Sequence, residues 1–112
     1  MSEDERRIAQ RYVLWIPIQI EQGADLRVLA VSRNISGTGV LVIAGAALEV
    51  GSKIDLTLSV PGRDDRSLTG EVVRAEPNDE DPDGLWRHRI AVRFDQPVPD
   101  LEATFERLEK RD

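Results

Sequence analysis

Apolar and polar side chains alternate along much of this chain. Leu14, Ile16, Ile18 and Ile20 interleave with Trp15, Pro17 and Gln19, the two-residue period of a half-buried strand. Pro17 has no amide hydrogen to give a ladder, which points to an edge or bulged position. Residues 26–32 form a second apolar, β-branched run after the turn-like Glu21-Gln22-Gly23-Ala24-Asp25, so the first two strands are predicted to pair as a hairpin. A third strand is expected over residues 39–43, followed by a connection punctuated by Gly45 and Gly51. Ile54, Leu56, Leu58 and Val60 then alternate with Asp55, Thr57 and Ser59, and Pro61-Gly62-Arg63-Asp64 turns the chain back. A fifth strand covers residues 66–75, and residues 77–84 read as a loop. The sixth, over 87–95, sets His88, Ile90, Val92 and Phe94 on one face and Arg89, Ala91, Arg93 and Asp95 on the other. After Pro99 and Asp100 the period changes, and Leu101, Phe105 and Leu108 fall on one helical stripe. Six short strands and one amphipathic helix predict an all-β domain. Its expected parts are a flexible arginine-bearing segment over residues 1–12, a six-stranded antiparallel β-barrel over 13–98 and a C-terminal α-helix over 99–112.

Composition narrows the chemistry. A chain of 112 residues makes one small domain. It has no cysteine and one histidine, His88, which excludes a disulfide framework, a thiolate nucleophile, a cysteine-based zinc site and a multi-histidine metal centre. The acidic start and the absence of a long apolar run predict a cytoplasmic protein without signal peptide or membrane span. The net charge of −6 argues against a long nucleic acid as partner, since such binding needs a basic face. Thirteen of the fifteen basic residues are nevertheless arginine, the side chain suited to bidentate recognition of phosphates and guanine edges.

Position decides what those arginines mean. Residues 6–20 carry Arg6, Arg7 and Arg11 and no acid, whereas residues 76–84 carry five acids and no base. Arg7 and Arg11 stand four apart just before the first strand, a spacing that is by itself only a basic terminus. Asn34-Ile35-Ser36-Gly37-Thr38-Gly39 lies between two apolar strands. Its short polar side chains can bond a ligand edge or the local backbone, and its glycine permits a positive φ or a close approach. Alone it is an ordinary polar turn. Asp79, Asp81, Asp83 and Gly84 copy the first half of a calcium loop, but Ile90 stands where the bidentate Glu is required, so a solvated loop is expected. His88 shares its face with Ile90 and Val92 and reads as structural. Trp15 is placed on the outer face of its strand, either as an exposed anchor for a partner or under the helix.

Together, the two arginines and the [D/N]-x-S-x-x-G element downstream resemble the signature of the PilZ domain family. The resemblance continues through Gly51, Pro61-Gly62, Gly70-Glu71-Val72-Val73-Arg74 and Ile90-Ala91-Val92-Arg93-Phe94. It implies a six-stranded antiparallel barrel and a bacterial receptor for cyclic di-GMP, with no other cofactor. By the same resemblance Arg7 and Arg11, with Arg6 as a weaker match, hold guanine edges and phosphates. Asn34 and Ser36 are hydrogen-bonding contacts, and Gly39 is the close-approach position. Asn34 replaces the commoner aspartate, and an amide addresses guanine donors differently from an acceptor-only carboxylate. Ala91 stands where the family often has glycine. The leading expectation is a stand-alone, non-enzymatic receptor that relays cyclic di-GMP to a downstream protein by ordering its N-terminal segment. The alternative is a nucleotide-independent PilZ adaptor acting through protein contacts in motility or pilus machinery.

Overall fold

The computed structural model describes residues 10–110. Its strands are β1 (Pro17–Gln22), β2 (Leu26–Ile35), β3 (Gly39–Ala44), β4 (Lys53–Leu58), β5 (Arg66–Pro77) and β6 (His88–Phe94). All neighbours are antiparallel, and the order β1-β2-β3-β6-β5-β4 closes on itself as a barrel. A 3₁₀ turn (Pro99–Leu101) leads into helix α1 (Glu102–Glu109). This is the predicted six-stranded barrel with one C-terminal helix. Because the ring is closed it has no edge strand. Pro17 instead takes the first position of β1, where its missing amide costs the ladder least.

Alternation supplies the core. Ile18, Ile20, Val28, Ala30, Val40, Val42, Ile54, Leu56, Leu58, Val72, Ile90 and Val92 point inward and are almost completely buried. The alternation seen from Leu14 starts before the ladder does. Tyr12, Leu14 and Ile16 are buried as well, yet their segment lies outside the named strands and meets β2 through the isolated bridge Tyr12↔Ile35 and through Ser32. The buried Ser32 hydroxyl accepts from the Ile16 amide at 2.8 Å and donates to the Leu14 carbonyl. Leu101 and Phe105 of the helical segment complete the core, with Phe105 6.2 Å from Tyr12 between ring centroids. Pairs at the rim hold the helix: Arg66 with Asp100 at 2.6 Å, Arg63 with Thr104 at 3.0 Å, and the Val13 amide with the Glu109 carboxylate at 2.6 Å.

β3 is buried along its whole length, although Leu41 and Ile43 face outward. The loop after β5 folds back toward it, with Glu80 3.1 Å from Arg33 on β2, and the Leu85 carbonyl lies beside Gly45. The loop is braced internally. Asn78 is buried, its amide donates to the Trp86 carbonyl at 2.6 Å, and the Trp86 amide donates to the Asp81 carboxylate at 2.9 Å. Its remaining acids, Asp79, Glu80 and Asp83, are exposed as expected. Among the described residues no group of three potential ligands is placed to hold a metal ion, and no helix is long and apolar enough to cross a membrane.

Candidate functional site

Asn34 owes its orientation to a bulge. Ser32 pairs with Val42 and Asn34 with Leu41, which leaves Arg33 as an extra residue in β2. A two-residue period counted from the inward Ser32 would put Asn34 inside the barrel. The extra residue turns Asn34 out and sends Ile35 into the core, fully buried. Arg33 itself lies over Trp15, with the guanidinium carbon 5.0 Å from the ring centroid, a cation–π contact. Trp15 is therefore exposed, at 60% of its surface, rather than under the helix.

Ile35, next to Asn34, is where the N-terminal segment is tied down. The Tyr12 amide donates to the Ile35 carbonyl at 2.8 Å, and the Ile35 amide donates back at 2.9 Å. Arg11 is thus placed beside the 34–39 turn, and its Nη1 donates to Asn34 Oδ1 at 2.6 Å. The two halves of the motif, 23 positions apart, meet through that hydrogen bond. Arg6 and Arg7 lie outside the described residues.

Ser36 and Gly39 serve the turn and the barrel. Ser36 is buried, and its hydroxyl accepts from the amides of Thr38 and Gly39, each at 3.2 Å, while its own amide donates to the Gly39 carbonyl at 2.9 Å. This is the local side-chain-to-backbone bonding that serine uses to build a turn. Gly39 has no positive φ; a Cβ there would lie 2.5 Å from the Val92 carbonyl oxygen. The close approach that requires this glycine is made by β6.

Strand register shows what else shares the outer face. Asn34, Leu41, Ala91 and Arg74 form one row across β2, β3, β6 and β5, and Gly39 and Arg93 stand in the next. A second bulge, between Val72 and Arg74, aims Arg74 outward. Buried Leu41 and half-buried Ala91 lie between Asn34 and Arg74 in the first row, and Ala91 brings a methyl group where the family often has hydrogen. Arg74 and Arg93 lie in the two stretches through which the resemblance continues, but neither belongs to its two-part signature. Their signal was the outward parity of residue 93 in the last strand, and for Arg74 the bulge hid even that. A cleft of about 700 Å³ lies elsewhere, lined by Glu21, Asp55, Arg66 and Asp95. Its Arg66 and Asp95 are already paired with Asp100 and Lys53, and none of the motif residues lines it.

The described residues form a small closed barrel with a guanidinium set against an outward amide. The chain belongs to the PilZ domain family, whose pattern it matches over residues 5–110, a family of receptors for cyclic di-GMP. Its fold is similar to the PilZ domain of YcgR from Escherichia coli, solved with c-di-GMP, at TM-score 0.70 and 13% identity over 91% of this chain and 87% of that one. It is also similar to the inhibitor of motility MotI/DgrA from Bacillus subtilis, at TM-score 0.67 and 16% identity over 90% of this chain. There it spans 48% of the other chain, about half its length. The PilZ domain of CeSA from a cellulose-synthesizing bacterium matches at TM-score 0.60 and 18% identity, over 92% and 97% of the two chains. A comparison with curated proteins found no match.

Proposed function

We propose that this chain is a cyclic di-GMP receptor that passes the ligand's presence to a partner protein. The observation that carries the reading is the Arg11–Asn34 hydrogen bond at 2.6 Å, which joins the arginine motif to the turn motif on one outward face. Arg7 and Arg11 fork onto phosphodiester oxygens and guanine O6 and N7, Arg6 adds charge, and Asn34 offers its amide to a guanine edge. Ser36 and Gly39 act one step back, holding the turn that presents Asn34. Capture of the dianion by Arg6 and Arg7 draws the N-terminal segment onto the barrel, and that closure is the signal. A cytoplasmic location and a non-catalytic role accord with this reading. YcgR, solved with c-di-GMP, and the motility inhibitor MotI/DgrA support the ligand class and a motility-type partner respectively.

The test is calorimetric titration of cyclic di-GMP into wild type and an Arg7→Ala/Arg11→Ala variant. Wild type is expected to bind in the micromolar range or tighter and the variant not at all. Binding unaffected by the two changes refutes the site assignment. No heat with wild type favours the second reading, a nucleotide-independent adaptor. That reading draws on Arg11 and Ser36 already being satisfied by internal partners.

A further inference from the structure

The outward face around Asn34 holds more guanidinium than the motifs account for. Arg74 projects from β5 one strand beyond Ala91, while Arg89 and Arg93 flank Ala91 on β6 itself, with Arg93 directly opposite Gly39 of the turn motif. Their acid partners are distant: Arg74 Nε is 3.8 Å from Glu76, Arg89 Nε 3.9 Å from the same carboxylate, and Arg93 Nη2 3.8 Å from Glu71. Those separations exceed hydrogen-bond length, so the forks of Arg74 and Arg93 keep their donors, and both side chains are about two-thirds exposed. Arg89 Nε is buried without a hydrogen-bond partner, which leaves it the least able of the three to reach out.

Distance makes the pair useful. Strands stand about 4.8 Å apart, so Asn34 and Arg74, three strands apart in one row, are separated by about 14 Å at the backbone. Between Arg11 with Asn34 at one end and Arg74 at the other lie buried Leu41 and half-buried Ala91, a stretch over which a dinucleotide could be held from both ends.

Resting on the receptor reading above, we propose that Arg74 and Arg93 form a second pole of the site, which takes the phosphodiester and guanine edge of the ligand's distal half. The pole explains why two exposed arginines sit beside glutamates without bonding them. Those glutamates keep the patch soluble when empty and yield to a better-matched anion.

Titration of cyclic di-GMP into Arg74→Ala, Arg93→Ala and the double variant tests this, with Arg11→Ala alongside. Each single change is expected to raise Kd about tenfold, the effect of losing one charge-assisted hydrogen-bonding group, and the double change about a hundredfold. Arg93→Lys keeps the charge but not the fork and is expected to bind nearer to Arg93→Ala than to wild type. Glu71→Gln is expected to tighten binding, a readout that general damage to the fold would not give. Melting temperature should not move, since both arginines are exposed. A double variant within about twofold of wild-type Kd, while Arg11→Ala abolishes binding, overturns the second pole and leaves the receptor reading standing. Wild type that binds no cyclic di-GMP overturns the receptor reading and the pole together.

Discussion

Two polar turns project from this barrel, and they are built alike. In the 34–39 turn the Ser36 hydroxyl takes two amides; in the acidic loop Asn78 takes the Glu80 amide and gives to the Trp86 carbonyl. Each has one buried polar residue as its internal brace. They differ in what remains once the brace is used. The first turn is left with Asn34 facing outward to meet a guanidinium from another part of the chain. The second is left with Asp79 and Asp83 facing solvent. A short polar residue in a loop is thus first a structural device, and chemistry begins with the residues that the device leaves free.

That contrast can be broken at its strongest point first. Arg11→Ala removes the one described guanidinium bonded to Asn34, and cyclic di-GMP affinity is expected to fall about a hundredfold or more, read by calorimetry. Gly39→Ala attacks the scaffold behind the same turn. Because the clash is with backbone at 2.5 Å, stability should drop by about 2–3 kcal/mol in urea unfolding, with the fold otherwise retained. Ser36→Ala and Asn78→Ala sharpen the comparison as a pair. Each leaves buried backbone groups unsatisfied and should lose about 1–2 kcal/mol, but only Ser36→Ala should also weaken ligand binding. Equal effects of both on affinity would erase the distinction between the two turns.

The smallest effect lies outside both. Hydrogen bonding from Arg66 holds the Asp100 carboxyl below its usual value, so the pair's contribution is present above the unfolded-state value and lost as pH falls through the lower folded one. Asp100→Asn should therefore flatten the acid limb of the stability profile, slightly, because the pair is partly solvated.

Strand identity was legible because alternation is local: Ile54, Leu56 and Leu58 declare an inward face with no knowledge of their neighbours. The motif turn was legible for the same reason, as a short polar segment between apolar runs. What could not be read was parity across a bulge. Arg33 shifts Asn34 outward, and Val73 does the same for Arg74, only because of how β2 and β5 register against strands distant in sequence. The tie between Tyr12 and Ile35 was hidden likewise, since one bridge of two hydrogen bonds leaves no period behind. The acidic loop was legible as a loop, while its pairing to Arg33 depends on a 47-residue separation closing in space.

The hydrogen bond from the Val13 amide to Glu109 carries a thermodynamic consequence. It connects the last turn of the helix to the stretch of backbone that begins two residues after Arg11. On the receptor reading proposed above, whatever a bound nucleotide does to that stretch is shared with the helix terminus, and coupling of this kind is reciprocal. A protein that grips the helix near Glu109 and shifts the equilibrium of Val13 must change nucleotide affinity by the same factor by which the nucleotide changes its own. On that reading messenger and target are two effectors of one equilibrium, and either can be used to measure the other.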